Sequence, residues 1–436
     1  MLRVLRVVVL GLLLALYLAG AVVQGFRVNL DPHRTDQAAY LEAAREMRAS
    51  GYSSVGDRNR MPVYPFLLSL LYRPGMTDEE FFRRGKAFNI ALSVVLLVLV
   101  YAVLSKWLEP LAATAIVLVS AFTVFMFKAG YVQCELLFYS LNVVLFVLFI
   151  ETLLRPTALR AAALGVLAAV TYLTKAAVLP AVLLFLVCSV AGGLLARDPA
   201  RPGNVPQTAA HLLAFAVAFL IVLFPYIQTS RRVFGRYFYN VNSTFYVWYD
   251  SWEDVERGTK AHGDRVGWPD MPARDLPSAR RYWRDHTLSQ AASRLAGGAR
   301  SLLSVAWSSY GYFKYAILYL VFLFLYLIQN PREVAQSIRG PAKAALAFVV
   351  LDFVGYFVLY SWYAPIAEGN RLILSLFLPG LAAIGYFLTR VSGGSPVRLG
   401  RLRVTPASFH RFVLAVLGVD IVLRLPWAIT HLSGAD

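Results

Sequence analysis

The stretch DPHRTDQAAYLEAAREMRASGYSSVGDRNRMPVYP, residues 31–65, is polar and lies between two long apolar runs. It opens with a pair of acids, Asp31 and Asp36, and goes on to a glycine break at Gly51 and a basic segment from Arg60 through Pro62 to Pro65. Asp36 is placed to cap a helix that starts at Gln37. Tyr40, Leu41, Ala44 and Met47 fall on one face of that helix, while Glu42, Arg45, Glu46 and Arg48 fall mostly elsewhere. Such an amphipathic helix is expected to lie in the membrane interface. Pro62 to Tyr72 is apolar but too short to span, so it is expected to dip into the interface.

The flanking runs decide the class. Of 436 residues, 58% are hydrophobic and 15% charged, against about 25% charged in soluble domains. Apolar runs of about 20 residues recur, as in an all-α polytopic membrane protein. After Arg3 and Arg6 the chain is apolar from Val7 to Val23, longer than the core of a cleaved signal peptide. An uncleaved first helix is therefore favoured. Further spans are expected at 86–106, 111–128, 132–154, 159–174, 176–196, 209–229, 312–329, 343–362, 371–389 and 409–430, about eleven with the first. Thr174-Lys175 divides two of them, because a charge fits a turn better than mid-span. The chain reads as a single membrane domain, 1–436, with a first outer loop at 27–84, a second at 230–311 and no separate large C-terminal soluble domain.

Orientation follows from the basic residues. If the first loop is outside, the inside loops carry Arg155, Arg197, Arg201, Arg332, Arg339, Arg390, Arg398, Arg401 and Arg403. That is the positive-inside bias, and an odd number of spans leaves the C-terminus outside. The net charge of +17 is thereby explained by topology and headgroup contact rather than nucleic acid. Cys134 and Cys188 both lie in apolar segments and make no zinc or disulfide pattern. The aromatic-rich start of 230–311 reads first as an interfacial belt and second as a sugar or acceptor groove. Asn242-Ser243-Thr244 matches a glycosylation acceptor, a motif that also occurs by chance. Asp420 and Arg424, four residues apart, are expected to pair on one helix face. Asp352 has no assigned role.

This topology puts Asp31, Asp36, Arg60, Glu135, Lys175, Glu368 and Arg371 at or near the outer ends of helices, although more than 300 residues separate the first from the last. Ionisable groups at that depth are costly and often functional; snorkelling and surface solvation are the alternative.

The series Asp36-Gln37-Ala-Ala-Tyr40, Ala44, Met47 and Gly51, followed by Arg60-Met-Pro62 and Tyr64-Pro65, resembles the first outer loop of GT-C superfamily glycosyltransferases of the aminoarabinose-transferase and protein O-mannosyltransferase type. Tyr172-Leu-Thr-Lys175 resembles their turn between two short helices. Glu368-Gly-Asn-Arg371 resembles a late E-x-x-R segment, and Glu135 stands where an acid often begins a helix. Gln37 replaces a frequent Glu, and Arg60 replaces a Lys. The resemblance implies a polyprenyl-phosphate-sugar donor, inverting transfer, and a lipid, glycan or protein acceptor. Asp36 is the expected base, with Asp31 second. Arg60, Lys175 and Arg371 are the expected phosphate cations. Tyr40, Tyr64, Glu135 and Glu368 are candidate substrate contacts. No cofactor is required; a divalent metal held by Glu135 or Glu368 stays open but is not indicated. The high arginine-to-lysine ratio suggests a bacterial inner membrane with the site on the periplasmic side. The rival readings are a carrier that flips lipid-linked sugars and a non-catalytic scaffold.

Overall fold

The computed structural model describes residues 2–53, 58–195, 204–263, 270–367, 369–391 and 395–434. Helix dominates, because apolar backbone in a bilayer must satisfy its own N–H and C=O groups. The spans are α1 (Leu2–Val23), α4 (Asp78–Trp107), α5 (Pro110–Ser120, continuing through π and α turns to Lys128), α6 (Glu135–Leu154), α8 (Leu179–Leu195), α9 (Asn204–Phe234), α13 (Pro341–Tyr363) and α15 (Pro406–Leu423). Two amphipathic elements of the first loop are α2 (Gln37–Ala49) and α3 (Val63–Ser69), and the second loop contains α10 (Trp252–His262). Helix α11 (Leu288–Ser308) runs into α12 (Phe313–Gln329) through a 108° bend. Shorter apolar helices are α7 (Ala158–Thr174) and α14 (Leu374–Tyr386), and α16 (Leu425–His431) closes the chain.

The number of spans is smaller than expected. Eight described helices are long and apolar enough to cross a membrane, or nine if the bent pair counts as one. The difference from eleven has a simple cause. Helix α7 has 17 residues, or roughly 25 Å at 1.5 Å per residue, short of a hydrocarbon core of about 30 Å. Helix α14 is shorter still, and Pro379 lies inside it. The fold is helical as expected, with one small antiparallel hairpin among the described residues, Val397–Leu399 with Leu402–Val404.

Burial ranks the spans. In Pro110–Lys128, 72% of the most apolar window is buried, against 17% in Pro206–Phe234, so α5 is central and α9 faces lipid. Thr77 caps α4 by accepting from the Glu80 N–H at 3.2 Å, and Asp78, Glu79 and Glu80 suit the positive end of its dipole. Lys175 is extended, with φ −156° and ψ 121°, and divides α7 from the turn leading into α8.

The bundle has two distinct ends. At one, Trp107 stacks on Tyr386 at 4.2 Å and donates to Glu151 at 3.0 Å, and Gln329 bonds the hairpin at Arg398. Arg155, Arg332, Arg339, Arg401 and Arg403 occupy connections at this end; Arg197 and Arg201 lie outside the described residues. At the other end α1 finishes in a π turn, where Gln24 donates to the Ile429 and Leu432 carbonyls at 2.6 and 2.8 Å. Gly25 and Gly130 meet there backbone to backbone, and a Cβ on Gly130 would overlap Gly25.

Two local expectations change. The α2 stripe of Tyr40, Leu41, Ala44 and Met47 is buried, but protein covers it: the Tyr40 ring meets Tyr64 at 5.3 Å. The aromatics of the second loop divide: some build a small core, while Tyr237, Phe238, Trp252 and Trp283 stay exposed. Phe234, Tyr239, Val241, Phe245 and Tyr246 pack with Val255 and Ile366.

Candidate active site

Asp36 follows Thr35, whose φ of 67° is left-handed. A β-branched residue resists that conformation, and the Gln133 amide donates to its Oγ1. Asp36 stands at the N-terminus of α2, yet its carboxylate makes no capping hydrogen bond. Instead Oδ1 accepts from Arg60 Nη2 at 3.0 Å, and Oδ2 accepts from Arg371 Nη1 at 2.8 Å. The Asp36 side chain is 40% exposed, and those of Arg60 and Arg371 are 15% and 36% exposed. A solvent-accessible carboxylate thus bridges two guanidiniums from opposite ends of the sequence.

Beside it, Lys175 Nζ pairs with Glu135 Oε1 at 3.2 Å. The other oxygen, Glu135 Oε2, is buried and has no hydrogen-bond partner among the described residues. Buried acceptors are nearly always satisfied, so this oxygen has capacity for an incoming donor. Three cations therefore meet two carboxylates in direct contact. Lys128, buried at the end of the α5 run, is a fourth cation within electrostatic reach of Glu135. The surplus of positive charge favours an anion. At Asp36, burial pushes the carboxyl up. Arg371 and Arg60, with a smaller effect of Lys175, outweigh it and hold the group below its ordinary value.

The remaining sequence candidates divide. Tyr40 and Tyr64 are buried, and both hydroxyls are committed: Tyr40 to Cys134 Sγ at 3.0 Å and Tyr64 to Asn89 Oδ1 at 2.9 Å. Burial first, then the neighbouring Cys134 and Glu135, pushes their phenols well above the usual value. The Tyr40 ring lies 5.8 Å beneath the Arg60 guanidinium, so these tyrosines form the floor of the site. Asp31 is exposed and accepts from the His33 N–H at 2.8 Å; among the described residues it makes no ion pair. Glu368 lies outside the described residues. Asp420 and Arg424 do not pair. Asp420 takes Lys314 and the Tyr315 hydroxyl, while Arg424 donates to the Ser309 and Tyr310 carbonyls. Among the described residues no group of three or more His, Cys, Asp or Glu side chains is arranged to hold a metal ion.

Three contributors carry no plain mark in the sequence. Gln37 exchanges amide hydrogen bonds with Asn29 and accepts from the Val132 N–H at 2.9 Å, fixing α2 to the turn before α6. The second loop holds the Arg60 segment. Val241 N–H donates to Arg58 O at 2.9 Å, Asn240 Nδ2 to Asn59 O at 3.2 Å, and Arg58 Nη1 to Tyr246 Oη at 3.2 Å. Tyr139 fixes the other guanidinium's backbone, donating to Arg371 O at 3.0 Å. Lys128 alone had a visible signal, a lysine at the end of a long apolar run.

No protein-family model matches the chain, and no curated protein matches it. Among solved structures it is similar to the crystal structure of ArnT from Cupriavidus metallidurans bound to undecaprenyl phosphate. Identity is 14%, the TM-score is 0.33, and the alignment covers 93% of this chain and 84% of that one. At that TM-score the likeness decides neither the fold nor the activity of this chain.

Proposed function

We propose that this integral membrane protein is a GT-C type glycosyltransferase. It moves a sugar from a polyprenyl-phosphate donor to a hydroxyl of a lipid, glycan or protein acceptor, with inversion, on the outer face of a bacterial inner membrane. One observation carries the reading. The Asp36 carboxylate leaves its helix uncapped and lies between Arg60 and Arg371, beside the Lys175–Glu135 pair.

Asp36 accepts the proton of the attacking hydroxyl. The acceptor oxygen bonds to the anomeric carbon as the bond from that carbon to the phosphate oxygen breaks. The leaving lipid phosphate keeps the electron pair and passes from one negative charge towards two. Arg60, Arg371 and Lys175 stabilise that developing charge, the guanidinium fork suiting phosphate geometry and the ammonium acting as a point charge. The unpartnered Glu135 oxygen accepts from a sugar hydroxyl.

The test is Asp36→Asn in membranes supplied with a labelled polyprenyl-phosphate sugar. Transfer should fall about 10²- to 10⁴-fold, the range of a lost general base, at normal expression. Unchanged transfer removes the assignment, and lipid translocation without transfer would favour a flippase. Arg60→Ala and Lys175→Ala should each raise the donor KM; donor affinity equal to that of the unmodified protein would contradict their role at the phosphate.

A further inference from the structure

In an inverting transfer the base and the leaving phosphate lie on opposite faces of the anomeric carbon. The sugar must therefore come between Asp36 and the phosphate cations. The resting geometry does not allow this, since Arg60 and Arg371 both bond directly to Asp36, at 3.0 and 2.8 Å. At least one of these ion pairs has to open before the reaction.

We propose that Asp36 is the internal counter-anion of the empty site, and that a lipid phosphate competes with it for the same two guanidiniums, so that arrival of the donor releases the base. The inference rests on the transferase reading above and adds how the site is switched on. Carboxylate and phosphate both present paired oxygens to a guanidinium fork, so one can replace the other without rebuilding the cation side. The Asp36 side chain is 40% exposed, which leaves the pairs open to an incoming headgroup. The backbone that carries each arginine is anchored independently of Asp36. Arg371 is anchored through its carbonyl to Tyr139, and the Arg60 segment is held by Val241 and Asn240 of the second loop. Lys175 is retained by Glu135 at 3.2 Å and adds to the field that meets the phosphate. A resting site closed on itself also avoids an uncompensated cluster of cations near the bilayer when no donor is bound.

The experiment measures binding of undecaprenyl phosphate to the full-length protein in lipid nanodiscs. The unmodified protein is compared with Asp36→Asn, Arg60→Gln, Arg371→Gln and Glu46→Gln, the last removing the same charge from the exposed face of α2. Asp36→Asn should bind about tenfold tighter or more, since its competitor for the forks is gone. Glu46→Gln should match the unmodified protein, and the arginine variants should bind more weakly. Asp36→Ser is read in parallel, with the same gain expected, in case the asparagine variant folds poorly. If removing the Asp36 charge leaves affinity unchanged or lowers it while the arginine variants are weakened, the exchange is overturned and the phosphate site survives. If the arginine variants bind like the unmodified protein, the phosphate reading itself fails. An equal gain in Glu46→Gln would also overturn the exchange, as a bulk charge effect.

Discussion

Thr35 and Asp36 sit where backbone and charge are both constrained: a left-handed φ of 67° turns the chain, and the next side chain faces two guanidiniums. The depressed Asp36 carboxyl has consequences with a definite sign. A group whose folded value lies below its unfolded one stabilises the protein above the unfolded value, 3.8, and loses that contribution as pH falls through the folded value. Thermal unfolding followed from pH 6 to pH 3 should therefore drop more steeply at the acid end in the unmodified protein than in Asp36→Asn. Parallel curves would mean that the two ion pairs add nothing to folding. The same group predicts a split in the rate profiles. The acid limb of kcat/KM reports the free enzyme and that of kcat the bound complex. Donor binding should remove cations from Asp36, so the kcat limb should lie at higher pH than the kcat/KM limb. Coincident limbs would place Asp36 in the same electrostatic setting with and without donor.

Among the elements, the second loop does more than close the surface. The turn around Asn240 grips the backbone at Arg58 and Asn59, and Asn240 Oδ1 also caps Val241–Thr244 by accepting from the Ser243 N–H at 3.3 Å. Asn240→Ala should cost about 1 kcal/mol through the lost cap and should raise the donor KM several-fold, with kcat changed less. A lower melting temperature with an unchanged KM would assign the turn to folding alone. None of this coupling is visible in the sequence, because a hydrogen bond between residues 181 apart, such as that from Asn240 to Asn59, leaves no periodic mark. The α2 stripe, by contrast, was legible as a face to be buried. Periodicity records that Tyr40, Leu41, Ala44 and Met47 leave water, but not whether lipid or Tyr64 covers them. The expected Asp420–Arg424 pair failed for a related reason: spacing brings two side chains to one face, and the better partners, Lys314 and the Ser309 and Tyr310 carbonyls, came from outside the helix.

For the whole molecule, sidedness links fold to chemistry. The connections with Arg155, Arg332, Arg339, Arg401 and Arg403 and the candidate site occupy opposite ends of the bundle, and the positive-inside rule predicts that the site faces outward. Loop charge gives that sidedness as an expectation. The number of spans was not legible in the sequence, because apolar runs signal burial from water without stating whether a helix reaches across, as α7 and α14 show by their length. The orientation can be tested without any substrate. Cys134 and Cys188 are both buried, so the unmodified chain should label weakly with a membrane-impermeant maleimide. Glu46→Cys, on the exposed face of α2, should label in intact cells, whereas Arg401→Cys, on the exposed hairpin, should label only after permeabilisation. The reverse pattern would place Asp36, Arg60 and Arg371 on the cytoplasmic face. The ion-pair geometry would then stand unchanged, but a donor presented at the outer leaflet could not reach it, and any lipid phosphate it binds would have to come from the inner leaflet.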